Sequence, residues 1–272
     1  MLAAGDDPDA LVAAVDALGD VWEPGSAAVL LDHVPLAHPD ARVRLALVRA
    51  LPGGGVVAGG ALAERVVEAL VTLTRDEEPR VRDWAAFGLA QVGADTPAVR
   101  DALVFLLDDQ DPDTRSEALL ALASTGDDRA RTALLTRLGS GTDLTLLELE
   151  AAVALADPAL HPELLRLADD WAGDDDDFTP LLDAALARSR PGAADDARRA
   201  EAAVVEEVHR VVPDLARAEL CGAYPRTVLL VAREPGDPAV HVPLWARGED
   251  PGGDRVTSVV TAVVEGLPPH RP

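Results

Sequence analysis

The chain contains no lysine: its 24 basic residues are all arginine, set against 48 acids, and the formal charge is −24 over 272 residues. We read the missing lysine as coding bias of a GC-rich organism. An acidic field of this size repels phosphate backbones, whose binding relies on Lys and Arg releasing counterions, and it repels anionic membrane surfaces. Neither nucleic acid nor membrane is an expected partner. A lone cysteine, Cys221, excludes an internal disulfide and any multi-cysteine metal site. Aromatics supply 3% of residues while hydrophobic residues supply 48%, mostly Ala, Leu and Val, which suits closely packed helices better than aromatic-rich strands. No stretch approaches the roughly 18 apolar residues of a membrane span. The start, Met1 to Asp7, lacks the basic region and long apolar run of a signal peptide. The expected location is the cytoplasm.

What the chain does have is an internal period. From Val43, Val81, Thr114 and Leu147 the residues four, seven and eight positions on are Leu47, Ala50 and Leu51, then Ala85, Gly88 and Leu89, then Ala118, Ala121 and Leu122, then Ala151, Ala154 and Leu155. These offsets mark one helix face. The starting points lie 38, 33 and 33 residues apart, a further step back reaches Ala10 with Ala14, Ala17 and Leu18, and a sixth copy begins at Phe178 with Leu182, Ala185 and Leu186. The position at offset seven is always Ala or Gly, which lets neighbouring helices approach closely. Second apolar sets between these helices, such as Leu62, Val66, Leu70 and Leu73, make each repeat a helical hairpin. One hairpin cannot bury its apolar face alone, so hairpins stack.

The stretches Asp76 to Gly93 (DEEPRVRDWAAFGLAQVG) and Asp109 to Gly126 (DQDPDTRSEALLALASTG) resemble the HEAT repeat, especially its phycobilisome-lyase-like subgroup. The resemblance covers about residues 1–190. It implies a mainly α fold, an α-α superhelical solenoid of about six HEAT-like hairpins. It also implies an Asp–Arg ladder along the stack, with Asp76 and Arg82, Asp109 and Arg115, and Arg44, which has His38 where the others have Asp. Glu148 stands in place of the Arg in the next copy.

From Pro191 the register stops. A helix near Arg198–Val212 carrying Ala203, Val204, Val208 and Val211, three strands with one hairpin, and a helix from about Asp254 to Glu265 predict a small α+β domain over 191–272, with a loose tail from Pro268. This unit is expected to cover the last hairpin.

Individual candidates favour structural roles. Gly53, Gly54, Gly55, Gly59 and Gly60 lack the strand and the Gly-Lys-Ser/Thr sequence of a phosphate cradle and read as a long loop. The acid run Asp174 to Asp177 lacks the spacing of a calcium loop. The six histidines are scattered, without the His-Glu pairs by which the related deoxyhypusine hydroxylases bind iron, and the charge opposes the basic surface of HEAT-like alkylpurine glycosylases. Cys221 reads as a buried small hydrophobe. Trp84 is expected to face the core, with Trp22 and Trp171 in loops where they seal gaps or anchor a partner. The resulting expectation is a non-catalytic scaffold or adaptor, without cofactor or metal, whose acidic surface engages a basic protein through Asp111, Asp113 and Glu117. Two alternatives stand beside it: a bilin-lyase-like enzyme, and an immunity-type inhibitor masking a basic partner.

Overall fold

A computed structural model describes residues 7–21, 23–57, 59–140, 144–171, 178–222, 224–234, 239–245 and 256–267. Two compact units emerge, Met1–Leu134 and Leu135–Pro272. The expected boundary near residue 190 falls inside the second of them.

The first unit contains α1 (Pro8–Gly19), α2 (Pro24–His33), α3 (Ala41–Val57), α4 (Gly60–Leu73), α5 (Pro79–Val92), α6 (Pro97–Leu106), α7 (Pro112–Thr125) and the first half of α8 (Asp128–Ser140). Proline opens α5, α6 and α7, where its missing N–H costs nothing. Gly93 and Gly126 close α5 and α7 in the left-handed conformation that favours glycine. In one layer α1, α3, α5 and α7 pack side by side, and α2, α4 and α6 form the other. The periodic residues of three copies are buried as their spacing requires: Val43, Leu47 and Leu51; Val81, Ala85 and Leu89; Thr114, Ala118 and Leu122.

Two readings of this unit need correction. In the first copy Ala10 and Ala17 are exposed, and α1 instead buries Val15, with Leu11 and Leu18 half-buried, so its register runs one residue later. The glycines at 53–55 form no loop, because α3 continues through Pro52 to Val57. Helix propensity is overridden there by close approach. A Cβ on Gly54 would lie 2.6 Å from Ala27 Cβ, and one on Gly55 would lie 2.8 Å from Val66 Cγ1. The small residue at offset seven acts similarly at Gly88, where a Cβ would meet Pro52 Cγ at 2.9 Å.

The second unit holds the rest of α8, α9 (Leu146–Leu155), a 3₁₀ turn (Pro158–Leu160), α10 (His161–Asp170), α11 (Thr179–Ser189), α12 (Ala193–Val211), strands β1 (Arg217–Cys221), β2 (Val228–Ala232) and β3 (Val240–Pro243), and α13 (Val256–Gly266). On α9 the buried face includes Glu148, Leu149, Ala152 and Val153, while Leu147, Ala154 and Leu155 of the expected register are half-buried. The strands form an antiparallel sheet in the order β1-β2-β3, so there are two hairpins where one was expected. Helices α12 and α13 supply Ala197, Val204, Val208, Val259 and Val263 to its core, against Leu229 and Val231. Ala203 and Val211, expected on that apolar face, are exposed, and the observed stripe is Ala197, Glu201, Val204 and Val208. Glu201 is buried because Trp245 Nε1 donates to it at 2.8 Å. The α+β part is tied to the helices before it: Tyr224 Oη donates to the Arg188 carbonyl at 3.3 Å, and Arg226 Nη1 donates to that of Ala154 at 3.4 Å. Cys221 is exposed, contrary to expectation, because β1 is an edge strand whose Leu220 is also 39% exposed. The tail from Pro268, the acid run 174–177 and Trp22 lie outside the described residues.

Candidate functional site

Each Asp of the ladder has a local task before it meets an arginine. Asp76 Oδ1 accepts the Glu78 N–H at 2.9 Å, and Asp109 Oδ1 accepts the Asp111 N–H at 3.0 Å, fixing the turn that launches α5 and α7. Their carboxylates are then gripped from the preceding repeat. Arg44 reaches Asp76 at 2.7 and 2.9 Å, and Arg82 reaches Asp109 at 2.6 and 2.7 Å. The two-point geometry is the strong form of this pairing. The residues six apart are also joined, but through the backbone: Arg82 Nη1 donates to the Asp76 carbonyl at 2.9 Å and Arg115 Nη1 to that of Asp109 at 2.7 Å. The guanidiniums of Arg44 and Arg82 therefore each bridge two repeats. The hydrogen bond to Arg82 holds the Asp109 carboxyl below its ordinary range, against the opposing effect of burial.

The ends of the ladder follow from single residues. At the first rung His38 replaces Asp and does the turn's work with its ring, Nδ1 accepting the Asp40 N–H at 3.1 Å while its carbonyl takes Arg44 at 2.7 Å. It offers no carboxylate, and the helix of the preceding copy, α1, carries no arginine to need one. In the copy that begins α9, Glu148 sits at the Arg position; it closes a capping box with Thr145 and receives Arg137 at 2.5 Å.

Beside the ladder, the loop edge of the first unit carries a cavity of about 770 Å³ lined by the ladder residues Asp76, Arg82 and Asp109 together with Arg75, Phe105 and Asp108, among others. Arg75 stacks over the ring of Phe105, 4.4 Å from its centroid, and Phe105 is 51% exposed. On α5, Trp84 is half-buried beneath the Arg49 guanidinium and edge-on to Phe87, so it lies at the surface and not in the core. Neither cation–ring pairing was visible in the sequence, because its partners come from different repeats.

Of the residues expected to contact a partner, Asp113 is exposed, and Glu117 and Asp111 are half-buried. Asp111 is occupied as the N-cap of α7, accepting the Thr114 N–H and hydroxyl, each at 2.9 Å. Trp171 is half-buried and packs edge-on against Phe178. Sequence reasoning missed Asp83. Its Oδ1 is buried without a hydrogen-bond partner, and burial, reinforced by Asp113 and Asp111, pushes its carboxyl up to about 6. Among the described residues, no three His, Cys, Asp or Glu side chains are grouped to hold a metal ion, and no helix is long and apolar enough to cross a membrane.

Residues 67–156 match the family model of HEAT repeats. A solved structure, that of the Escherichia coli protein YibA, shares 22% identity over 64% of this chain and 73% of its own, with a TM-score of 0.43. No curated protein matches the sequence.

Proposed function

We propose that this chain, a HEAT-repeat protein through residues 67–156, is a non-catalytic adaptor of the bacterial cytoplasm whose acidic surface holds a basic protein partner. HEAT repeats generally mediate protein–protein scaffolding, and one observation supports the finer reading. In the first unit the guanidiniums of Arg42, Arg44, Arg65, Arg82, Arg100 and Arg129 are all held by carboxylates of the unit itself. With 11 arginines against 23 acids over residues 1–134, the surplus has to be negative. Part of it stands on the surface: Glu64, Glu68, Asp108 and Asp113 are exposed, with no salt bridge among the described residues. An uncompensated field of one sign accelerates encounter with a complementary surface more than it deepens affinity.

The test is affinity purification from the native cells at about 50 and about 500 mM salt, across which the Debye length shrinks roughly threefold. A basic protein recovered at low salt and lost at high salt is the expected result, with weaker recovery by the Asp108→Arg/Asp113→Arg variant. A partner held equally at both salts and by both proteins would remove the electrostatic reading.

A further inference from the structure

Along one side of α4 runs an apolar groove of about 690 Å³ that the ladder does not use. Ala63, Val67 and Val71 of α4 face Val92, Ala94 and Ala98 across it. The three valines are only half-buried. Glu64 and Glu68 also line it, one turn apart on α4, and both are exposed. Like charges at this spacing repel each other on a helix. The guanidinium between them in sequence, Arg65, is engaged elsewhere, with Asp32 at 2.6 Å. On the far side of the groove Val92, Ala94, Thr96 and Ala98 carry no charge.

We propose that this groove receives an amphipathic helix of the partner, its apolar stripe covering Val67, Val71 and Val92 and two basic side chains, one turn apart, meeting Glu64 and Glu68. The backbone decides between a helix and an extended segment. An extended chain would lay its N–H and C=O groups against valine and alanine side chains that cannot pair with them, and the described residues of this unit contain no sheet edge. A helix satisfies those groups itself. Residues 63–71 extend about 12 Å along α4, room for roughly two turns of a partner helix. The charge pattern selects the partner's flank, since a basic pair relieves the Glu64–Glu68 repulsion while an acidic one adds to it. The inference rests on the adaptor reading and gives its partner a place and a chemistry.

Two fluorescein-labelled synthetic helices test it, sharing one leucine stripe and differing only in whether the flanking pair is Arg or Glu. Fluorescence anisotropy titrations use the full chain and its Glu64→Arg/Glu68→Arg variant. The wild type is expected to bind the Arg-flanked helix about tenfold more tightly, and the double variant to reverse that order. General attraction to an acidic protein cannot produce a reversal, because the variant remains strongly acidic. Val67→Glu is expected to weaken both helices at an unchanged circular dichroism spectrum; if that variant does not fold, the charge reversal carries the result alone. Failure of the Arg-flanked helix to bind the wild type, or persistence of the Arg preference in the variant, overturns the proposal. So does sedimentation velocity showing that the wild type dimerises and the Glu64→Arg/Glu68→Arg variant does not, since the occupant would then be a second copy. If the double variant still captures the salt-sensitive cellular partner, the groove assignment fails and the adaptor stands. A reversed peptide preference without any salt-sensitive cellular partner supports the groove and sinks the electrostatic adaptor.

Discussion

Asp109→Ala removes the acceptor that Arg82 grips at two points and that also takes the Asp111 N–H. The side chains of the pair are 14% and 7% exposed, so the truncation strands a guanidinium away from water. Breaking one side of a buried pair costs about 3–5 kcal/mol. The ladder sits at the loop edge of the unit, close to solvent, so the low end applies and about 3 kcal/mol is expected. Much of that is the penalty for the stranded charge. Arg82→Met/Asp109→Ala, which removes both charges, should therefore fall short of the sum of the single changes by about 2 kcal/mol, the range found for directly contacting residues. Urea denaturation followed by circular dichroism gives the midpoints and slopes for all four proteins. Asp9→Ala is the control. It breaks the Arg42–Asp9 pair, whose side chains are 59% and 77% exposed, and should leave the midpoint unchanged. The acid limb supplies a sign. The folded carboxyl of Asp109 lies below its ordinary value, so its contribution is complete at neutral pH and is lost as pH falls below about 4 through the folded pKa. Strict additivity in the double variant, or a single-variant cost under about 1 kcal/mol, would show that the ladder is decoration.

Asp83→Asn tests the opposite sign. The Asp83 carboxyl, raised to about 6, binds its proton more tightly in the folded chain than in the unfolded one, so the wild type gains stability as pH falls from about 7 towards 4. The asparagine variant should melt higher at pH 7.5, with the advantage disappearing near pH 4; an equal increment at both would refute the assignment. Gly54→Ala should destabilise by about 1–3 kcal/mol, as overpacking does, although alanine is the better helix former. A higher melting temperature for this variant would mean that α3 has room against α2.

The repeat was legible because its signal is a period of small and branched side chains, and Val81, Ala85 and Leu89 needed no tertiary knowledge to be assigned to the core. The Asp and Arg positions were equally plain. Their partners were not: spacing within one copy links Asp76 to Arg82, whereas the carboxylate of Asp76 is held by Arg44 from the copy before. The glycine tract misled because intrinsic propensity argues against helix at Gly53, Gly54 and Gly55, and only the closeness of Ala27 and Val66 shows why glycine is there. Cys221 misled for the converse reason. A strand of apolar and polar residues does not reveal whether it lies at the edge or the centre of its sheet, and β1 lies at the edge. Asp111 read as a free acid until its capping bond to Thr114 was visible. The groove beside α4 is a property of the space between two hairpins, which no single repeat encodes.

The bridging arginines give the stack a direction. Arg44 and Arg82 each belong to one repeat and close their bond only on an aspartate supplied by the next. The earlier repeat supplies the cation, and Asp76 and then Asp109 neutralise it from the repeat that follows. The repeats thus overlap like tiles, each held down by the one after it. The rungs are unequal in consequence: a cut after residue 107 would leave Arg82 without its carboxylate, whereas the rung built on His38 takes no guanidinium from α1.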